Sequence, residues 1–277
     1  MHLSKYHGLG NDFLVVLVDQ PGAERLVAAA GSLAKAWCDR RRGIGADGLI
    51  IGEIAPVGAD LRMHLHNADG GRAEISGNGI RCLAQAEIRR RGLTRGALRI
   101  TTDAGDRQVL VSSGPSADTV LAEVDMGEVT TVSGMAAPAA LAVSESSPSV
   151  ALVDVGNPHV VIGVEDPAGV DLATLGARIE AEVPGGANVH VIAPVAGTPD
   201  ALRVRTWERG AGLTEACGSG AVASAYAAHQ WGVVGDDVIV HMPGGDARVR
   251  LGSTARLIGP ATHIADIEIA ATQVSGG

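Results

Sequence analysis

Apolar and polar positions alternate along this chain in a way that sorts it into strands and a few helices. FLVVLVD at 13–19 is a continuous apolar run, and LRMHLH at 61–66 alternates apolar and polar residues. Both patterns predict strands, the second one half-buried. HVVIGVE (159–165), VHVIAP (189–194) and LRVRTW (202–207) predict matching strands further on. AERLVAAAGSLAKAWCDRR at 23–41 has helical spacing, and Pro21-Gly22 before it read as a turn. Two alanine-rich helices are expected at IRCLAQAEIRRRG (80–92) and AVASAYAAHQWG (221–232). Each follows a Gly-x-Gly and closes on a glycine. Many strands with one strong central helix in each half predict an α+β fold with mostly antiparallel sheets.

The halves repeat each other. A shift of 141 residues lays Leu61-Arg62 on Leu202-Arg203, Gly71 on Gly212, Glu74 on Glu215, Gly77 on Gly218 and Gly79 on Gly220. It also lays Gly45-Ala46 on Gly186-Ala187 and Ile51 on Ile192. GNDFLVV at 10 meets GNPHVVI at 156 with a small change of offset. A collinear series of this length marks a duplicated domain, and its period is too long for a solenoid. The halves are read as residues 1–117 and 118–262, with SGPSADT (113–119) as the linker.

A chain of 277 residues, 46% hydrophobic, can bury a large core. Its formal charge of −9 excludes a general nucleic-acid binder, which needs a basic face. Arg40–Arg42 and Arg89–Arg91 read as solvated helix ends. The first twenty residues carry no signal-peptide pattern and no apolar run is long enough to span a bilayer, so no membrane partner is expected. Cys38, Cys82 and Cys217 are odd in number and lack CxxC spacing, which fits a reduced, cytoplasmic protein. Lys5 and Lys35 are the only lysines and lie outside the motifs, which argues against pyridoxal phosphate. HLH at 64–66 puts two histidines on one strand face, but no third ligand completes a metal site.

The chemistry concentrates in AEISGNGIRC (73–82) and TEACGSGAVA (214–223), which align Ser76 with Cys217. Each residue precedes a Gly-x-Gly at a helix start, where free N–H groups attract an anion and glycine admits a ligand closely. A cysteine there is expected to have a depressed pKa. Either stretch alone reads as structure: Gly-Asn-Gly turns, serine caps, and a lone cysteine is inert. Paired by duplication, they describe a two-base racemase or epimerase. One group removes an α-proton, the other returns one to the opposite face, and the N–H dipoles stabilise the enolate-like charge. The expected arrangement has Ser76 and Cys217 flanking one carbon in a cleft between the halves.

HGLGNDF (7–13), CDRRRGIGADGL (38–49), NADGGRAEISGNGIRC (67–82), GNPHVV (156–161), NVHVI (188–192) and ERGAGLTEACGSGA (208–221) together resemble the diaminopimelate epimerase family. They run in family order over nearly the whole chain. The resemblance implies two pseudo-symmetric α+β domains, a homodimer, no cofactor, and a final segment (about 263–277) that returns to the first domain. It implies that Asn11, Asn67, Asn157, Asn188, Glu208 and Arg209 bind the distal amino and carboxylate groups of diaminopimelate. An Arg fork and a Glu suit such a zwitterionic end. Gly77, Asn78, Gly218 and Ser219 would hold the reacting carboxylate. Glu208 and His159 would assist proton movement, although His159 alone reads as a hydrogen-bonded core histidine. Asp47 and Asp69 read as turn and cap residues.

The family carries cysteine at the position of Ser76. A hydroxyl is a far weaker acid or base near pH 7, because its pKa lies far from that pH. Cys82, six residues on, projects from another side of the helix and is no substitute. Three accounts of Ser76 stay open: a natural Ser/Cys epimerase, a shifted substrate or a one-base elimination, and an engineered replacement that traps a complex. A hydrolase using Cys217 as nucleophile with His159 is the competing enzyme class. A non-catalytic amino-acid-binding protein is the third reading.

Overall fold

The computed structural model describes residues 1–54, 59–132 and 149–269. The chain divides into two compact units, residues 1–124 with 259–277, and residues 125–258.

In the first unit, β1 (His2–Gly8) pairs antiparallel with β2 (Asn11–Val18) through a two-residue turn, Leu9-Gly10. Both turn residues have positive φ, 57° and 84°, the twist a tight hairpin needs. β2 runs parallel to β3 (Gly48–Ile54), and α1 (Gln20–Cys38) is the crossover between them. The helix takes in Pro21 and Gly22, read above as a turn before it. Proline in a first turn forfeits no helical hydrogen bond, so it starts the helix instead of preceding it. β3 pairs antiparallel with β4 (Leu61–Asn67), which carries the short β5 (Arg72–Ala73). Then come α2 (Gly77–Arg90), β6 (Gly96–Thr102), β7 (Gly105–Ser113) and β8 (Thr119–Gly127). β6 lies parallel to β4 and antiparallel to β7, which pairs antiparallel with β8.

Burial follows the strand alternation. Leu14, Val16, Leu49 and Ile51 pack with Ala30, Ala34 and Trp37 of α1. Ile50, on the other face of β3, lies against Gly79 of α2. With both faces covered, β2 and β3 become continuous apolar runs. The supposed linker is a hairpin turn: Ser113 pairs with Val120, and Gly114 N–H donates to the Thr119 carbonyl at 3.1 Å. Gly, Pro, Ser and Asp suit a tight turn as well as a linker, and composition does not separate the two.

The second unit repeats the order. β9 (Thr130–Thr131) and β10 (Val150–Asp154) pair, and β10 is antiparallel to β11 (Pro158–Gly163). β11 runs parallel to β12 (Asn188–Pro194), with α3 (Leu172–Glu182) between them. β13 (Ala201–Glu208) is antiparallel to β12 and carries β14 (Gly212–Thr214). α4 (Gly218–Gln230), β15 (Asp237–Met242), β16 (Gly245–Arg250) and β17 (Ala255–Glu268) follow. β17 pairs with β16 at its start, and further on with β1, where Thr262 meets His7 and Glu268 meets His2.

Strand register refines the repeat. Phe13 and His66 pair with Gly48 and Leu49, whereas His159 and Trp207 pair with Asn188 and Val189. Between β3 and β12 the offset is therefore one residue shorter than 141, and the counterpart of Ile50 is His190. Ile51 corresponds to Val191, not to Ile192 as the ungapped shift has it.

Candidate active site

Ser76 is the N-cap of α2, with extended backbone and its Oγ accepting from Gly79 N–H at 3.0 Å. Below it runs a directed set of hydrogen bonds. Buried Arg81 donates from Nη2 to Asn78 Oδ1 at 2.7 Å, and Asn78 Nδ2 donates to Asn11 Oδ1 at 3.1 Å. Asn11 Nδ2 then donates to Asp47 Oδ2 at 2.8 Å. Two site asparagines thus have their amide orientation fixed from within the unit. Arg81 also donates from Nε to the Pro260 carbonyl at 3.2 Å, and burial pushes its pKa down to about 10. Asn67 ends β4, beside Gly48.

Arg40 is no solvated helix end. It is forked onto Asp12 at 2.7 and 3.2 Å and also meets Asp47 at 2.8 Å. Burial works against the Asp12 charge, yet bonds from Arg40 and Lys5 hold its carboxyl below the usual range. Asp47 is more than a turn residue, since it receives Asn11, Arg40 and the Asp12 N–H.

In the second unit Cys217 caps α4 as Ser76 caps α2, its Sγ accepting from Gly220 N–H at 3.3 Å. Ser219 Oγ lies 3.7 Å from the sulfur. The depressed pKa expected at a helix start is overturned. Burial, then the nearby Glu208 charge, raises the thiol well above its ordinary value, outweighing the bonds from Gly220 and Ser219. The resting group is a thiol hydrogen-bonded to the Glu208 carboxylate. Glu208 Oε1 accepts in turn from Thr214 Oγ1 at 2.7 Å.

The ends of β11, β12 and β13 bring the rest together. Asn188 Oδ1 accepts from Arg209 N–H at 3.0 Å, and its Nδ2 donates to the Pro158 carbonyl at 3.2 Å. His159 is buried, with Nε2 at 2.8 Å from Asn157 Oδ1 and Nδ1 at 2.8 Å from His190 Nε2. His190 Nδ1 meets Thr206 Oγ1 at 3.0 Å. Gly218 and Ser219 form the first turn of α4. In the first unit a hydrogen bond ties Asn11 to Asn78 in the first turn of α2. In the second, Glu208 is bonded to Cys217 at the start of α4, and His159 joins Asn157 to His190, which lies against Gly220. Sequence reasoning missed Arg81, His190, Thr206 and Thr214. Their only signal was membership of the motif stretches or of the adjoining strand, because their roles arise from strand register.

Cys82 lies in α2 six residues beyond the Ser76 cap, fully buried, and burial pushes its thiol up to about 12. Among the described residues no helix is long and apolar enough to cross a membrane.

Solved structures share this architecture. A phenazine biosynthesis protein of the PhzF family from Bacillus anthracis matches with a TM-score of 0.72 at 15% identity, over 98% of this chain and 99% of that one. A probable proline racemase from Agrobacterium radiobacter K84 gives 0.72 at 15% identity, over 98% and 93%. A hydroxyproline epimerase from Agrobacterium vitis gives 0.69 at 15% identity, over 96% and 91%. The fold is thus the duplicated α+β fold that such epimerases and racemases use. Sequence narrows this class. The diaminopimelate epimerase profile matches residues 3–132 and 151–264. Diaminopimelate epimerases from Thermosynechococcus vestitus (39% identical; 90% of this chain, 91% of the relative) and Erythrobacter litoralis (40%; 94% of each) are close relatives. One from Methanothermobacter thermautotrophicus is 36% identical over 89% of this chain and 88% of its own. The chain belongs to the diaminopimelate epimerase family and is an isomerase.

Proposed function

We propose that the protein interconverts LL- and meso-2,6-diaminopimelate by cofactor-independent proton transfer at the α-carbon, with Cys217 as its strong acid–base group and Ser76 as a weak one. The observation that carries this reading is the Cys217 thiol, capped by Gly220 N–H and hydrogen-bonded to Glu208. As its proton passes to Glu208, the thiolate takes the α-hydrogen of one isomer. The electron pair spreads onto the carboxylate, where the N–H groups of Gly77, Asn78, Gly218 and Ser219 stabilise it. Ser76 returns a proton to the opposite face, and the steps reverse for the other isomer. Asn11, Asn67, Asn157, Asn188 and Arg209 hold the distal end, together with Glu208 in its family role. His159 belongs to this group through Asn157 and is poorly suited to a cysteine–histidine hydrolase, since both its ring nitrogens already have partners.

Ser76 limits the rate, because an alcohol is far from its pKa at neutral pH. The family relationship supports a place in the synthesis of lysine and cell-wall precursors, a cytoplasmic location and a homodimer. The test is incubation of the purified protein with LL- and meso-diaminopimelate in heavy water. Deuterium at the α-carbon, read by mass, is expected, faster for the isomer that presents its hydrogen to Cys217. No exchange from either isomer would overturn the assignment.

A further inference from the structure

We propose that Thr206, His190 and His159 form a one-way hydrogen-bond chain that sets the side-chain amide of Asn157, so that His190 and Thr206 are positioning residues for the substrate carboxylate. The functional half of this proposal rests on the epimerase reading above; the chain itself does not.

The direction follows from counting protons. His159, His190 and Thr206 are all buried, and burial lowers both histidines, His190 to about 3, so each ring is neutral. A neutral imidazole has one N–H and one lone pair. Asn157 offers Oδ1, which only accepts, so His159 Nε2 must donate to it across 2.8 Å. The bare Nδ1 of His159 then accepts from His190 Nε2 at 2.8 Å. His190 Nδ1 is left bare in turn and accepts from the Thr206 hydroxyl at 3.0 Å. Each bond fixes the next, and both rings hold the Nε2–H tautomer. No ring nitrogen has a lone pair or a proton free to exchange with a substrate. His159 acts through Asn157.

The consequence lies at the end of the chain. With Oδ1 committed to His159, Asn157 has its NH2 group to offer, a donor suited to a carboxylate. The reversed chain, started by Asn157 Nδ2 and ended on Thr206 as acceptor, would offer a carbonyl oxygen and repel that group. Asn157, the two rings and the Thr206 hydroxyl thus share one polarity.

The first unit shows that the fold does not require this chain. Register and packing make Phe13, Ile50 and Leu65 the counterparts of His159, His190 and Thr206. Ile50 and His190 each lie beneath the first turn of a helix, against Gly79 and Gly220. Three apolar residues do that packing in one unit. Burying three polar ones in the other is costly unless every bond is made. Such a cost at one of two equivalent places points to function.

The decisive measurement is the tautomeric state of the two rings in protein labelled with ¹⁵N-histidine, read from two-bond proton–nitrogen correlations. Both rings are expected as neutral Nε2–H from about pH 5 to 8, where an unperturbed histidine would titrate. An Nδ1–H ring or a doubly protonated ring would overturn the chain. Thr206→Val removes the first donor and Thr206→Ser restores it. On diaminopimelate, Thr206→Val is expected to raise KM about tenfold while kcat stays within about twofold and its pH profile holds, as for lost binding of a charged group. Thr206→Ser should return KM to its starting value. An unchanged KM, or a fall in kcat with a shifted pH profile, would overturn the positioning role. If Thr206→Val fails to fold, the wild-type tautomers still decide. If the protein turns over no diaminopimelate, the epimerase reading fails while the spectra still judge the chain.

Discussion

Gly220 N–H donates to the sulfur of Cys217 at 3.3 Å, and Gly79 N–H donates to Ser76 Oγ at 3.0 Å. The two residues fill one role, each a helix cap with extended backbone, differing by the small lengthening that sulfur imposes. A thiol therefore fits at position 76 without a change of fold.

Ser76→Cys is accordingly expected to raise turnover of diaminopimelate by about 10²–10⁴-fold, the range spanned by a positioned acid or base. It should also make solvent exchange comparable for the two isomers. Following α-deuterium in each isomer separately checks both statements. If Ser76→Cys leaves turnover unchanged while Ser76→Ala abolishes it, the serine is itself a competent catalyst.

The glycines beneath these caps are unequal. A Cβ at Gly79 would lie 3.0 Å from Ile50 Cδ1, the end of a flexible side chain. At Gly220 it would overlap the His190 ring, which is tied on both sides by hydrogen bonds. Gly220→Ala should thus lower unfolding free energy by about 1–3 kcal/mol, as overpacking does, and Gly79→Ala by clearly less. Urea denaturation of both variants gives the comparison. Equal losses would mean that the His190 ring yields as readily as Ile50.

Much of this was legible in the chain itself. Duplicated Gly-x-Gly stretches located both helix starts, and apolar runs located the central strands. What remained hidden depends on register or desolvation. The ungapped shift set Ile51 against Ile192, and only strand pairing brings His190 opposite Ile50 and exposes the contrast between the two floors. SGPSADT looked like a linker because turn and linker share a composition. Cys217 was expected to be acidic from helix position alone, whereas full burial and the charge of Glu208 decide its state.

Burial of cysteine also predicts a pH dependence of stability. Cys38 and Cys82 are pushed up to about 12 by burial, above their value in an unfolded chain. A raised pKa means the folded state holds its proton where the unfolded chain has lost it. Stability is then full below about pH 8.5 and falls as pH rises toward 12, by at most about 1.4 kcal/mol per pH unit for each thiol. Thermal unfolding between about pH 8 and 11 should show this decline, and Cys82→Ala should make it shallower. A slope identical in wild type and Cys82→Ala would remove Cys82 as its source.

Glu208 offers a test in which two readouts move in opposite directions. Its charge is, after burial, the main reason the Cys217 thiol stays protonated. Glu208→Gln removes that charge while keeping an acceptor for Thr214 Oγ1, which now donates to Oε1 at 2.7 Å. The thiol pKa should fall, so a larger share is thiolate at about pH 8 and iodoacetamide labels Cys217 faster. Turnover should nonetheless drop, by about 10²–10⁴-fold, because the thiol proton has lost its acceptor. Labelling is followed by mass at the peptide containing Cys217, with Cys217→Ser as the blank, and turnover by α-deuterium exchange. A merely structural Glu208 would let the site loosen, speeding labelling of buried Cys82 as well. A proton-accepting Glu208 speeds it at Cys217 alone. Slower labelling at Cys217 would show that the carboxylate promotes the thiolate instead of opposing it.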